Sequence, residues 1–356
     1  MSHLNWRQIV HRQTRRRQGI VLMTATLILI LSACAVPVAP IADSTATPEI
    51  VPHDAPTSDS SFPVTIKNCG RTTTYDAPPQ RAVTMNQAAT EIMLALGLAD
   101  QMVGTAYLDD AILPQYESAY ASIPILSDNY PSQEVLFGVE PDFIYGAYGS
   151  AFNDEAAGSR AELAELGISS YLSVASCEEA GLRPHAVTFA TLFDEITTIG
   201  RIFGVAERAA SLVDEMQATL DEVAATIGEE TEPLRVFWYD SGADAPLAGA
   251  CCGAPAMLMD AVGAKNLFAD IPGTWATVTW EEVVAREPEV IVLADAAWST
   301  AREKADLLRN DPSFASIPAV QAGRFVIIPF GATTLSVRNV EGAVTLAQGL
   351  YPEKFE

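Results

Sequence analysis

The sequence predicts an α/β protein built as two similar lobes with parallel-type sheets, joined by one long, rigid helix. Three observations carry that reading. From residue 62 onward, short apolar runs alternate with stretches of helical period, the pattern of a parallel sheet with helices on its faces. The same order of segments then occurs twice. Between the two copies lies an amphipathic stretch with no strand pattern in it. A chain of 356 residues is long enough for two such units.

In the first copy, residues 62–186, "RAVTM" (81–85) reads as a strand and "ATEIMLALG" (89–97) as a helix closed by Gly97. "MVGTA" (102–106), "FIYGA" (143–147) and "ISSYLS" (168–173) are further strands, and "RAELAELG" (160–167) is another helix stopped by glycine. In the second copy, residues 229–356, "LRVFWYD" (234–240) is a strand and "PAMLMDAVG" (255–263) a helix of the same size and ending as 89–97. "VIVLAD" (290–295) matches "FIYGAY", and "RFVIIPF" (324–330) is a late strand.

The copies share more than element type. "PSQEVLFGVEPDFIY" (131–145) and "TWEEVVAREPEVIV" (279–292) both read as a short helix, a turn and a buried strand. Glu134 stands six residues before Glu140-Pro141-Asp142, and Glu281 six before Glu287-Pro288-Glu289. Two similar lobes explain the matched spacing better than one large sheet or a chance likeness of two α/β halves.

Residues 187–228 link the copies. "VTFATLFDEITTIGRIFG" puts Leu192, Ile196, Ile199 and Phe203 on one helical face. Residues 206–228 carry Leu212, Val213, Met216, Leu220, Val223 and Ile227 at helical spacing. At about 1.5 Å per residue this helix spans roughly 34 Å, a length suited to a strut between lobes. A long surface helix of a single domain is the alternative.

Ahead of the folded region, Arg12, Arg15, Arg16 and Arg17 precede the apolar "IVLMTATLILIL" (20–31) and the small-residue "LSAC". The apolar run is short for a membrane span. Residues 1–33 read as a bacterial lipoprotein signal, with Cys34 the lipidated first residue of the mature chain; an ordinary signal peptide is the alternative. Residues 34–61, rich in Ala, Pro, Ser and Thr, cannot bury a core and read as a flexible tether. The leader holds five arginines and no carboxylate, so the remainder sets 16 basic against 45 acidic residues, a formal charge of −29. That balance argues against nucleic acid or anionic headgroups as partners.

Export frames the remaining cysteines as disulfide-competent. Cys69 and Cys177, read as lying before the first strand and after the last strand of one lobe, are expected to pair. The adjacent Cys251 and Cys252 could form a vicinal disulfide, bind a soft metal or be small buried residues. Only His185 lies in the folded region, which argues against a multi-histidine metal site.

The ordered set "PPQRAVTMNQAATEIMLALGLADQMVGTA", "EVLFGVEPDFIYG", the strut and "TWEEVVAREPEVIVLAD" resembles the ferric-siderophore and cobalamin class of ABC-transporter substrate-binding proteins, over nearly all of residues 62–356. The resemblance implies two lobes that move little on binding, a ligand cleft between them and a membrane permease as partner. It further implies that each lobe offers one surface glutamate to an arginine pocket on one permease subunit. Glu134 and Glu281 hold the matching positions; serving only their own helix starts is the alternative.

Ligands of open α/β lobes bind beyond the carboxyl ends of the strands. The loops there offer Asn86, Tyr107, Tyr148, Phe152, Tyr239, Trp275 and Trp298, together with Cys251 and Cys252. Aromatic side chains suit a large, partly planar ligand. Of Arg160, Arg183, Arg302 and Arg338, Arg183 and Arg338 are the better placed cations. The cleft reads as less basic than a strongly anionic siderophore would need. The resemblance implies a ferric siderophore, a corrinoid or a similar large chelate as ligand, with no intrinsic cofactor and a monomeric receptor. "SCEEAGLRPHAVTF" and "LADAAWSTAREK" also resemble a subgroup assigned to a deazaflavin-coenzyme precursor. An enzyme of the chelatase type and an extracytoplasmic sensor are the alternatives from other classes. Against the first, the sequence has no GxSxG elbow, no phosphate loop and no nucleophile paired with His185.

Overall fold

In a computed structural model, residues 62–228 and 232–356 are described; the leader, Cys34 and the tether lie outside the described residues. The first element is an antiparallel hairpin that the sequence reading missed, β1 (Val64–Asn68) and β2 (Arg71–Tyr75). Val64 and Ile66 face inward and alternate with exposed Thr65 and Lys67, the mark of a half-buried strand. Cys69 (φ 48°) and Gly70 (φ 77°) form its two-residue turn, both left-handed as a type I′ turn requires. Cys69 thus sits inside a hairpin and not ahead of the first strand.

The first lobe continues as β3 (Ala82–Met85), α1 (Gln87–Ala95), β4 (Met102–Ala106), α2 (Glu117–Tyr120), β5 (Ile125–Ser127), α3 (Gln133–Gly138), β6 (Phe143–Gly146), α4 (Arg160–Glu165) and β7 (Ser169–Leu172). Its sheet has the order β5-β4-β3-β6-β7 with every neighbour parallel. β3 and β6 are buried along their whole length, which is why they read as unbroken apolar runs. The hairpin is stapled to the lobe's edge. The Asn68 amide donates to the Leu172 carbonyl (2.9 Å) and its oxygen accepts from Arg160 (2.7 Å). A disulfide joins Cys69 to Cys177, with Cα atoms 5.2 Å apart.

Two helices link the lobes, α5 (Phe189–Ile202) and α6 (Ala206–Ile227). The 22 residues of α6 belong to both cores: Ala209 and Met216 pack in the first lobe, Val223 and Ile227 in the second, and Leu220 touches both. A helix buried at its two ends in two different cores ties them as a strut.

The second lobe comprises β8 (Arg235–Ser241), β9 (Leu247–Gly249), α7 (Ala254–Ala261), β10 (Lys265–Asn266), β11 (Trp275–Thr277), α8 (Trp280–Arg286), β12 (Val290–Asp295), α9 (Ala301–Asn310), α10 (Pro318–Ala322), β13 (Phe325–Pro329) and α11 (Arg338–Leu350). Its sheet is mixed: β10, β8, β12 and β13 are parallel, while β9 and β11 add an antiparallel edge. Only five residues separate β8 from β9, too few for a crossover, so β9 must return as a hairpin.

The internal repeat extends to single hydrogen bonds. α3 and α8 begin at hydroxyl N-caps, Ser132 and Thr279. Each is followed by a left-handed glutamate before proline, Glu140 (φ 45°) and Glu287 (φ 49°). The next acid clamps the preceding strand. Asp142 accepts from the backbone N–H groups of Gln80 (2.8 Å) and Arg81 (2.9 Å), and Glu289 accepts from that of Arg235 (2.9 Å). The end of each first helix also matches: Gly97 (φ 65°) and Gly263 (φ 64°) let Leu98 and Ala264 donate back to Met93 and Met259.

Candidate functional site

A cavity of about 430 Å³ opens between the lobes at the carboxyl ends of both sheets. Ala147, Tyr148 and Ser173 reach it from the loops after β6 and β7, and Trp275 and Thr333–Leu335 from the second lobe. Gly253, at the start of α7, lies against Thr274, whose Cα is 3.2 Å from where a Cβ would stand, so the two loops of this wall meet only because the residue is glycine. Arg183 is the single basic residue in the lining; its Nε donates to the Cys177 carbonyl (2.6 Å). The disulfide from Cys177 to Cys69 therefore anchors the loop that carries this arginine.

Tyr148 also borders a second hollow of about 550 Å³, lined by Asn86, Tyr107, Asp109, Tyr130, Ser150, Trp298 and Phe330. The sequence dictates its shape through backbone strain. Asn86 (φ 74°) and Tyr107 (φ 57°) directly follow the parallel strands β3 and β4 and are both left-handed. Asparagine tolerates that region, while tyrosine adopts it at a cost. The outcome is a Tyr107 ring packed edge-on against Tyr130, with centroids 4.7 Å apart. The Tyr130 hydroxyl donates to Asn86 (2.9 Å). Opposite, Trp298, 60 % exposed, meets Phe330 edge-on at 4.7 Å. Burial and then the neighbouring Asp110 push the Asp109 carboxyl up to about 6. Burial likewise raises the Tyr148 hydroxyl, an effect that Thr334 across the cleft partly offsets.

Arg338 was expected to face the ligand. It is instead buried and ties the lobes together. Its guanidinium grips Glu91 of α1 through two contacts of 2.6 Å, donates to the Ala111 carbonyl (2.5 Å) and lies 3.6 Å from Asp110. Asp110 in turn accepts from the Gly331 N–H (2.7 Å), and Glu91 accepts from Gln87 (2.9 Å) and the Leu113 N–H (3.1 Å). Burial opposes the Arg338 charge, but Glu91 and then Asp110 outweigh it and raise its pKa. Glu91 escaped the sequence reading because it sits on the inward face of an apolar helix, 247 residues from its partner. A carboxylate within "ATEIMLALG" was the available signal.

Other expected ligand contacts also lie elsewhere. Phe152 packs into the first-lobe core against Gly146, and Tyr239 is 1 % exposed in the second, its hydroxyl donating to the Gly242 carbonyl (2.9 Å). Cys251 and Cys252 are joined to each other in the wall beside the cavity, where the Cys252 carbonyl accepts from the Val187 N–H (3.0 Å). Both lie outside the lining of the two hollows. Arg160 is buried on Asn68 and Ser170, and Arg302 is exposed on α9 beside Asp306. Tyr107, Tyr148, Arg183, Trp275, Trp298 and Asn86 do line the hollows. Tyr130 and Asp109 join them; Tyr130 was missed because it stands in a loop after the edge strand β5. Glu134 and Glu281 are exposed at the second position of α3 and α8, with Ser132 and Thr279 as caps. No group of three or more His, Cys, Asp or Glu able to hold a metal ion occurs among the described residues, and none of their helices is long and apolar enough to cross a membrane.

The model of the periplasmic binding protein family matches residues 83–332. The chain is 27 % identical over 300 residues to the uncharacterised ABC transporter substrate-binding lipoprotein YvrC of Bacillus subtilis, covering 83 % of this chain and 88 % of that one. It is 26 % identical over 272 residues to a cobalamin-binding protein of Halobacterium salinarum, covering 72 % and 67 %. A periplasmic binding protein of Veillonella parvula superposes with a TM-score of 0.71 at 28 % identity, over 81 % of this chain and 97 % of that one. With its two lobes, strut and interlobe cavity, the chain belongs to the periplasmic binding protein family, a family of substrate-binding proteins of ABC transporters and not of enzymes.

Proposed function

We propose that this chain is the extracytoplasmic receptor of an ABC importer for a large, partly planar organic chelate or cofactor, a corrinoid being the first to test. The observation that carries the reading is the interlobe cavity, lined from both lobes and sharing Tyr148 with an aromatic hollow. Such a lining buries a wide apolar ring system and fixes it with a few polar groups. The similarity to a cobalamin-binding protein supports the same class. The strut and the buried Glu91–Arg338 pair favour binding with little lobe movement, because closing or opening the cleft would strain both. Cys34 is the lipid anchor in this reading and residues 34–61 the tether.

Titration with cyanocobalamin, read by tryptophan fluorescence, tests the ligand class. The expected result is one-to-one binding that weakens at least tenfold in Tyr148→Ala and Trp275→Ala, with the corrinoid recovered unchanged. No saturable binding, or a converted product, contradicts it.

Glu134 and Glu281 serve in this reading as the docking charges for the two permease subunits. Their matched position, one per lobe and exposed, supports that role. Glu134→Ala or Glu281→Ala should leave solute affinity unchanged and reduce uptake, and the pair should nearly abolish it. Losing one partner of a desolvated charge pair costs about 2–5 kcal/mol at an interface, against about 1 kcal/mol or less for a solvated rim pair. Full uptake by the double variant would mean that these residues only start their helices.

A further inference from the structure

We propose that the hollow beside the main cavity is a cage for an organic cation, so that the transported solute carries an alkylammonium or quaternary ammonium arm. The inference rests on the receptor reading above and specifies the solute's charge. Five aromatic residues border the hollow: Tyr107, Tyr130, Tyr148, Trp298 and Phe330. Ring faces carry negative quadrupole density and attract a poorly hydrated cation. The rings are fixed in two edge-on pairs, Tyr107 with Tyr130 and Trp298 with Phe330, so two differently oriented π systems bound one space.

The charge in the hollow points the same way. Asp109 is its one ionisable acid and is half-buried, with no hydrogen bond or ion pair to it among the described residues. No lysine or arginine lines the hollow. The nearby cations are already engaged: Arg338 by Glu91 and Asp110, and Lys304 by the Ala294 and Ser299 carbonyls. An anionic arm would meet Asp109 with nothing to offset the repulsion. A hydrated inorganic ion would find one carboxylate, the other oxygens being neutral amide and hydroxyl groups of which those of Asn86, Tyr130 and Ser150 are already bonded to one another. A bulky ammonium group needs no shell of oxygens and matches both features.

The two halves of the cleft then divide the work. The main cavity, with Arg183, serine and threonine hydroxyls and Trp275, takes the ring system and any polar or acidic substituent. The aromatic hollow takes the cationic arm, and Tyr148 stands between them.

The test uses choline and its uncharged isostere 3,3-dimethylbutan-1-ol on the full protein, with isothermal titration calorimetry as the readout. Choline should bind at least tenfold more tightly than the alcohol. Asp109→Asn should remove most of that preference while leaving near-ultraviolet circular dichroism unchanged, and Trp298→Ala should weaken choline itself. Equal affinity for the two probes, an undiminished preference in Asp109→Asn, or no saturable choline signal each overturns the cage. The cyanocobalamin titration separates this failure from that of the receptor reading. Choline binding without a chelate would refute the chelate class alone, and corrinoid binding with no choline preference would remove the cage alone.

Discussion

At the amino ends of their central strands the two lobes are nearly copies; at the carboxyl ends they are not. Arg81 immediately precedes β3 and Arg235 opens β8, and Asp142 and Glu289 accept from their backbone N–H groups in the same manner. Glu140 and Glu287 turn through the same left-handed conformation before proline. At the other end, the first lobe offers strained Asn86 and Tyr107 and a disulfide-anchored loop, and the second offers a mixed-sheet edge with Thr274 and Trp275. Repetition is thus kept where a scaffold is required. It is abandoned where an asymmetric solute must be held, so the lobes are alike as frames and unlike as walls.

The sharpest difference between the frames is covalent. The first lobe closes a 108-residue loop through Cys69 and Cys177, and the second lobe's cysteines are adjacent and close none. Reducing the bond, or Cys69→Ser with Cys177→Ser, should destabilise the first lobe by about 4–5 kcal/mol on the chain-entropy account. Denaturant melts monitored lobe by lobe with hydrogen exchange would register this. A uniform loss over both lobes would show that the strut makes them one cooperative unit.

Next in size is the tie between them. Arg338→Met strands Glu91 in an apolar setting and should cost about 3–5 kcal/mol. Pairing it with Glu91→Leu should restore part of that stability, because the fully buried carboxylate goes with its partner and only the partly exposed Asp110 loses its cation. An additive double variant would mean that the pair contributes nothing as a pair.

The N-caps offer a smaller contrast. Thr279 forms a reciprocal capping box with Glu282, while Ser132 accepts a single bond of 3.4 Å from Val135. Thr279→Ala should cost about 1 kcal/mol, and Ser132→Ala less, measured by urea melts. Equal costs would mean that the repeat is energetically as well as geometrically symmetric.

Last comes a pH dependence confined to the first lobe's wall. Asp109 titrates at about 6 and is faced by Asp110 on its own loop and by Tyr130 and Tyr148 from neighbouring segments. Both tyrosines are raised above their ordinary value and stay neutral through this range. A bound cation favours the carboxylate and so lowers the Asp109 pKa. Choline affinity should therefore rise as pH climbs through 6, and Asp109→Asn should flatten the profile.

How much of this the sequence disclosed follows from range. "FIYG" and "VIVLAD" are buried on both faces, so their apolar runs translate directly into strands. Gly97 and Gly263 mark helix ends because only the chain's local conformation is at stake. The strut is legible because its apolar positions keep one period over both cores. The β1–β2 hairpin was hidden by Thr, Lys and Arg on its open face, although "NCGR" is a two-residue turn signal. Phe152 and Tyr239 sit at loop-facing strand ends in the sequence, yet neighbouring glycines and backbone turns fold them inward. Arg338 could not be read correctly, because its role depends on Glu91 and Asp110 across the cleft. An isolated loop arginine looks the same in sequence whether it meets a solute or a buried carboxylate.

The central claim is that one solute is held between unlike walls on a like frame. Native mass spectrometry of the protein purified from its own source tests this most directly. It should find a single organic molecule bound one to one in the wild type and lost in the Tyr148→Ala/Trp275→Ala double variant. The same mass retained by a folded double variant would contradict it.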